Sequence, residues 1–455
     1  MTRKEGRKGV SRRAILAGAT LAAIDPLLRA KAFAQSSSGG GLGTASSPVK
    51  LRMLANESYA RQWQTSMVPE FNKAFPHIEL TIDGVPYSEQ LAKILLEVTG
   101  ATPTYDLLAI DDPWVPQVAE TGALLDLKKD VTQWTRPDYD WADFNSAPLA
   151  ASEWKGVQYG VPVRSNMLLM FYNRTLFEKA GLPAPTPALK WAEFMAQASK
   201  LVQDVKGEGK PNAWAISTYF NRDPLTPTIW QAILNANGGA LLDDNNKPAF
   251  NNDVGVKSLQ THVDLLKFAP PGATAHGFNE SMQAFRQGQT AVMFQWGSIY
   301  RSSAVDPATT TLKPEQVGIQ VMPVGDRSAG THRGIWNGCI ARKSKNHEAA
   351  WTMLQWLTSK EGEKWHANSL GTFPARKSTL AHDPTSKWLA PVLTTLQQAY
   401  DVAAAGKMWR PRHPKSDAVQ QVLADVTGMT MAGQTTAQAA LADASRRIER
   451  ALRNS

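Results

Sequence analysis

Gly160-Val161-Pro162-Val163-Arg164-Ser165-Asn166-Met167-Leu168-Leu169-Met170-Phe171-Tyr172-Asn173-Arg174, continued by Thr175-Leu176-Phe177-Glu178-Lys179-Ala180-Gly181-Leu182-Pro183, is the stretch from which the rest of the chain is read. Val161-Pro162-Val163 is extended, because the proline ring crowds the preceding residue out of the helical region. Met167 to Tyr172 is an unbroken apolar run, suited to a strand buried on both faces. Asn173 then offers a side-chain oxygen to the free amides of a short helix, Arg174 to Ala180, which Gly181 and Pro183 stop. Two polar side chains, Arg164 and Asn166, stand where the buried strand begins. Taken alone, the stretch is a buried strand with solvated polar residues at its mouth.

Residues 1–35 read as an export segment rather than as fold. Arg3, Lys4, Arg7, Lys8, Arg12 and Arg13 form a basic start, Ala14 to Ile24 a short apolar run, and Ala32-Phe33-Ala34 a small-x-small cleavage site. The apolar run is too short to span a bilayer. Ser11-Arg12-Arg13-Ala14-Ile15-Leu16 resembles the twin-arginine signal, which implies the twin-arginine export machinery as a partner; an ordinary secretory signal is the alternative. The segment holds eight Lys/Arg and two acids, so it carries +6 of the chain's +9 and leaves +3. The basic balance therefore says little about nucleic acid, and no basic–aromatic patch is visible elsewhere. The single cysteine, Cys339, cannot form an internal disulfide, and none sits at the cleavage site to take a lipid. These features imply a free periplasmic protein.

Residues 36–47 are Ser/Gly-rich and read as a flexible linker. From Pro48 onward short apolar strands alternate with helices. Strands are expected at Leu51–Leu54, Ile78–Ile82 and Leu107–Ile110, and helices at Tyr59–Ala74, Ser88–Val98 and Pro116–Glu120. Such alternation argues for an α/β fold with an open, mostly parallel sheet. Beyond Pro183 helices are expected at Trp191–Val205, Pro227–Ala236, Val254–Phe268 and Glu280–Gln287, and strands at Thr290–Phe294 and Val317–Met322. A strand from Arg333 to Ile340 is interrupted by Trp336-Asn337-Gly338. Long helices close the chain at about Thr385–Ala403, Asp417–Ala432 and Thr436–Leu452.

Ligands of open sheets bind outside the carboxyl ends of the strands. The loops that fall there name the candidates. Asp111 and Asp112 follow the third strand, where carboxylates accept hydroxyl hydrogen bonds; a helix cap before Pro113 is the alternative. Trp114 lines the same pocket or packs on the sheet edge. Asn56 and Glu57, after the first strand, are polar contacts or simply solvated. Arg164 binds ligand or closes a hinge salt bridge. Gly338, beside Trp336 and Asn337, marks a close backbone approach. Arg410, within Trp409-Arg410-Pro411-Arg412, adds a guanidinium. The eight histidines and one cysteine show no metal spacing, and there is no phosphate loop or nucleophile elbow, so no cofactor or metal is expected.

The opening stretch resembles the lobe-crossing segment of bacterial extracellular solute-binding proteins of the sugar-binding type, relatives of maltose-binding protein. Three further segments carry the resemblance: Tyr105 to Leu127, Phe285 to Ile299 (FRQGQTAVMFQWGSI) and Trp336 to Ser359. One departure is Pro185-Thr186-Pro187-Ala188-Leu189-Lys190-Trp191, where relatives place the threonine directly before the tryptophan. The resemblance implies a two-lobe periplasmic-binding-protein-like (type II) fold with discontinuous lobes, 48–162 with 324–362 and 163–323 with 363–455. It also implies a monomer that captures a sugar or polyol between the lobes, without catalysis, and delivers it to ABC transporter permease subunits. Asp112 matches a sugar-contacting aspartate of the family and Trp296 a stacking tryptophan; Trp296 as a core residue is the alternative. Asn166 stands where a relative has a sugar-binding glutamate. The rival reading is a secreted carbohydrate-active hydrolase pairing Asp111 or Asp112 with Glu57, although adjacent aspartates on an extended chain point apart.

Overall fold

The computed structural model describes residues 40–102, 104–381, 388–406 and 408–453, so the export segment 1–35 lies outside the described residues. Nine strands build two sheets: β1 (Val49–Asn56), β2 (Ile78–Val85), β3 (Leu107–Asp111), β4 (Gly160–Arg164), β5 (Leu168–Asn173), β6 (Trp214–Ser217), β7 (Thr290–Trp296), β8 (Val317–Gln320) and β9 (Trp336–Ile340). The first sheet runs β2-β1-β3-β9-β4 and the second β8-β5-β7-β6. Each sheet thus takes strands from separate parts of the chain, the two-lobe α/β arrangement. Within 36–47, Gly40–Leu42 form a 3-10 turn, and Leu42 packs against the core of the first sheet.

The expectation of mostly parallel sheets is corrected to mixed ones. β1 is parallel to β2 and β3, whereas β9 is antiparallel to both β3 and β4. In the second sheet only β6 and β7 are parallel. The cause is the crossing chain: a strand arriving from the other lobe enters opposite in direction to strands made by local strand–helix–strand repeats.

The apolar runs behave as their composition dictates. Every residue of β3, β5 and β7 is buried, because helices cover both faces. Asn173 caps the helix Arg174–Lys179 by accepting from the Thr175 amide at 3.1 Å. The helix expected over Trp191–Val205 is shorter, Trp191–Gln197 followed by a 3-10 turn, Ala198–Leu201; Gln203 leaves it to pair with Ala213. The C-terminal helices Ser416–Met431 and Ala437–Arg453 pack with Trp230 and Phe250 on one side of the second sheet.

Residues 333–335, expected to begin a strand, instead belong to an irregular crossing segment, 331–335. The Leu168 amide donates to His332 O at 2.9 Å, Gly334 N to Asn166 O at 3.0 Å and Arg333 N to Met408 O at 3.0 Å. Trp336-Asn337-Gly338 begins β9 rather than interrupting it, with a bulge between Trp336 and Asn337. A further crossing runs beside it, where Ser165 bridges Phe373.

Candidate functional site

Strand direction decides which residues meet. β9 is antiparallel to β3 and β4, and its first residue, Trp336, lies in register with Asp111 at the end of β3 and with Arg164 at the end of β4. One edge of the first sheet therefore presents Asp111, Trp336 and Arg164 together. In the second sheet Trp296, ending β7, is in register with Leu168, beginning β5.

At the first edge four rings form a continuous wall. Trp336 lies 5.4 Å from Tyr59, 6.1 Å from Tyr87 and 5.9 Å from Trp114, all edge-on, and Tyr87 lies 4.8 Å from Trp114. The Arg164 guanidinium stands 5.2 Å over the Tyr59 ring, a cation–π contact. Trp114 is buried and Trp336 half-buried.

Beside this wall two carboxylates meet two guanidinium groups. Asp111 Oδ1 caps the 3-10 turn Asp112–Trp114 by accepting from the Asp112 amide at 3.0 Å, so Asp111 rather than Asp112 is the cap. The turn bends the chain, and the neighbouring carboxylates converge instead of pointing apart. Arg410 donates through Nη1 to Asp111 Oδ2 and through Nη2 to Asp111 Oδ1, each at 2.7 Å, and through Nη2 also to Asp112 Oδ1. Arg333 donates from Nε to Asp112 Oδ2 at 3.1 Å and from Nη1 to Ala147 O at 2.7 Å. Tyr87 OH donates to Asp111 Oδ2 at 2.9 Å, and the Arg333 guanidinium lies 4.4 Å over the Trp409 ring. The Ser416 hydroxyl donates to Pro113 O, so the loop after β3 also touches the helix Ser416–Met431 of the second lobe. The lobes are in contact through this cluster.

Burial dominates its electrostatics. It pushes the Asp111 carboxyl up, against the pull of Arg410 and with a push from Asp112. Against the same burial penalty, the two carboxylates hold Arg410 above its ordinary range. His332 is driven well below the usual histidine range by burial and then by Arg410 and Arg333, so its imidazole is neutral at pH 7. Neither His332 nitrogen has a protein partner among the described residues, and Arg333 Nη2, Arg410 Nε and Asn337 Oδ1 are likewise unpartnered.

The other expected residues lie as follows. Asn56 is buried, its side chain accepting from the Ser58 amide at 3.0 Å and donating to Gln90 Oε1 at 3.1 Å. Glu57 is exposed in the first helical turn. Asn166 bonds Ser298 through both its side-chain atoms, at 2.9 and 3.0 Å, which ties the crossing strand to the loop after β7. Trp296 is 6 % exposed, belongs to the core beneath the second sheet, and faces His332 at 6.3 Å between ring centres. A Cβ on Gly334 would come within 2.7 Å of the Trp296 ring, so this glycine lets the crossing segment lie against it. Asn337 donates to Ile110 O and Ile335 O at 3.2 Å. Gly338 faces away from the cluster: a Cβ there would meet Leu354 at 2.5 Å and Val163 at 2.6 Å, so its close approach is helix-on-sheet packing.

Sequence reading missed His332, Arg333, Tyr59, Tyr87 and Trp409. The expected strand end at Ile82 is three residues short; β2 runs to Val85, so Tyr87 stands just past a strand end, within reach of the strand-end rule. His332 and Arg333 fell within or beside a supposed strand. The signal against that strand is Gly334, which separates the two basic residues from the apolar run after it.

The profile of the bacterial extracellular solute-binding protein family matches residues 56–364. A Sinorhizobium fredii protein named "Probable amino-acid ABC transporter periplasmic-binding protein" is 25% identical over 357 residues, 77% of this chain and 78% of its own length. The "Mannitol-binding protein" of Pseudomonas aeruginosa is 26% identical over 239 residues, 52% of this chain and 53% of its own. Among solved structures, an ABC transporter solute-binding protein from Agrobacterium radiobacter K84 in complex with ribitol superposes with a TM-score of 0.76. It is 27% identical, over 88% of this chain and 98% of that one. Crossing segments between two mixed sheets, strand-end loops meeting between them and a family match over most of the folded chain agree on one assignment: the chain belongs to the bacterial extracellular solute-binding protein family.

Proposed function

We propose that this protein is the ligand-capturing component of an ATP-driven importer, which holds a sugar or polyol between its lobes and hands it to the permease without chemical change. The observation that carries the reading is the pairing of an aromatic wall, Tyr59, Tyr87, Trp114 and Trp336, with the Asp111–Arg410–Asp112–Arg333 cluster. Flat rings suit the C–H faces of such ligands, and carboxylate and guanidinium oxygens and nitrogens suit their hydroxyls. The ribitol complex and the mannitol-binding relative support the same class. Asp111, Asp112, Trp114, Arg164, Trp336 and Arg410 are the contacts from this edge, joined by Trp296 and Asn166 from the other lobe. Asn56 and Gly338 serve as scaffold, Asn337 as scaffold through its Nδ2 with its Oδ1 left for the ligand, and Glu57 as rim.

The expected lobe division enters this reading with two adjustments. Met322–Val324 pair with Ala329–Gly330 and stay beside the second sheet, which supports moving that crossing from 323–324 to 331–335. Trp365 and Leu370 pack against the first sheet's core, which supports moving the last crossing from 362–363 to about 371–373, where Ser165 bridges Phe373. Export through the twin-arginine route, a periplasmic location and a monomeric state complete the proposal. No helix among the described residues is long and apolar enough to cross a membrane.

A thermal-shift panel of sugars, polyols and amino acids tests it, because a ligand at 100 times its Kd adds about 2.7 kcal/mol of stability. A sugar or polyol that raises the melting temperature, with no reducing ends released from glycosides, is the expected result. Turnover of a glycoside would favour the hydrolase reading, and a response to amino acids alone would refute the ligand class.

A further inference from the structure

We infer that the ligand carries one anionic group, a carboxylate on a sugar or polyol framework, and that Arg164 receives it. The inference rests on the proposed function and narrows it from neutral hydroxylated compounds to sugar acids.

Arg164 is the reason. It ends β4 at the cleft edge, in register with Trp336, and its guanidinium lies 5.2 Å over Tyr59. It is only half-exposed, and among the described residues no carboxylate or hydrogen-bond acceptor meets it. The nearby ionisable side chain, His366, is neutral, held at about 3 by burial and then by the Arg164 charge. Burial likewise lowers the Arg164 pKa, which records the cost of a charge without a counter-ion. Such a cost persists where a bound partner removes it.

Charge balance across the cleft points the same way. Arg333 and Arg410 are offset by Asp111 and Asp112. Arg412 is held by the backbone carbonyls of Ala150, Ala151 and Glu153, which neutralise nothing. Arg412 and Arg164 are therefore both surplus positive charge, and of the two only Arg164 has donors that no protein acceptor among the described residues takes up. The unpartnered buried atoms lean the same way. Arg333 Nη2 and Arg410 Nε are donors, a neutral His332 offers one donor and one acceptor, and Asn337 Oδ1 is an acceptor. Ligand hydroxyls satisfy that mixed set. They do not compensate Arg164, whose planar fork matches a carboxylate with two parallel bonds. Trp336 lies between Tyr59, under Arg164, and Tyr87, bonded to Asp111. A ring or chain laid on Trp336 thus has its acid end at Arg164 and its hydroxyls at the carboxylates.

Calorimetric titration of the mature protein with matched pairs tests the inference: ribitol against D-ribonate, D-mannitol against D-mannonate, D-galactose against D-galacturonate, with L-glutamate and L-leucine as separate arms. In at least one pair the acid should bind about tenfold more tightly or better, 1.4 kcal/mol. Arg164→Gln should bring that pair to parity while the empty variant melts at or above the wild-type temperature. If the neutral member binds as tightly in every responding pair, or Arg164→Gln weakens both members alike, the inference falls and the proposed function stands. Binding of the amino acids alone, or of none of the probes, counts against both.

Discussion

Replacing Arg410 by methionine tests the cluster that joins the lobes. In the wild type its two terminal nitrogens meet Asp111 at 2.7 Å each, and Nη2 also meets Asp112. All three side chains are buried. Without the guanidinium, Asp111 keeps the Tyr87 hydroxyl and the Asp112 amide, Asp112 keeps Arg333, and one buried negative charge is left over. Removing one partner of a buried pair costs about 3–5 kcal/mol. Global unfolding is not the cheapest escape. The carboxylates belong to the first lobe and Arg410 to the segment leading into the helices of the second, so parting the lobes rehydrates the acids and leaves both cores intact. At about 1.4 kcal/mol per tenfold, the closed-to-open ratio should fall by two to three and a half orders of magnitude. Small-angle scattering of the ligand-free protein should then show a larger radius of gyration, with a urea midpoint displaced by less than the full penalty. Arg410→Lys should fall between, since one ammonium cannot span both carboxylate oxygens. Adding Asp111→Asn alone to Arg410→Met should restore compaction, since Asp112 still pairs with Arg333. A compact Arg410→Met protein with a wild-type unfolding midpoint would refute the reasoning.

Trp296→Ala should lower unfolding stability by about 3–5 kcal/mol, because the ring is 6 % exposed within the second lobe's core; calorimetry on the same variant, with an affinity loss beyond that of a matched core variant, separates binding from packing. Gly334→Ala should shift the Trp296 fluorescence and weaken ligand binding, since its Cβ would stand 2.7 Å from the ring. Acid should destabilise the fold. His262, His332 and His366 all have pKa values depressed by burial, so the stability they contribute is present above about pH 6.5 and is lost as pH falls. From pH 7 to 5 His262 and His366 each account for about 2 kcal/mol and His332 acts in the same direction, while Glu363, raised to about 7 by burial, opposes with about 2 kcal/mol because its contribution is fullest below pH 4.5. The expected net loss is at least about 2 kcal/mol, read from urea midpoints at the two pH values; equal midpoints would contradict it. Arg12→Lys with Arg13→Lys should retain the precursor in the cytoplasm, and normal periplasmic accumulation would argue for the ordinary secretory route.

What the sequence made legible, and what it hid, follows from the range of the interactions involved. β5 and its capped helix were readable because each step is local: an apolar run buried on both faces, an asparagine oxygen two residues from its amide, a glycine past the end. Loops at strand ends were readable because alternating strands and helices imply where ligands gather. That Asp111 and Asp112 would share one guanidinium was not readable, because Arg410 is about three hundred residues away and enters through a fold-level crossing. The same non-locality hid the antiparallel direction of β9, and with it the register that places Trp336 between Asp111 and Arg164. Two glycines carry a general physical point. Gly338 and Gly334 both mark close approach, yet one admits a helix side chain and the other a tryptophan ring, and only the facing chain decides which. Candidate residues named by loop position alone therefore divide by whether their polar atoms are spent. Asn56 and Asn166 are occupied within their own lobes, whereas Arg164, like the unforeseen His332, retains unmet bonding capacity at the junction. Groups of this kind persist at the junction where a ligand completes them, which is why binding specificity should reside in Arg164 and in the unpaired atoms of His332, Arg333, Arg410 and Asn337.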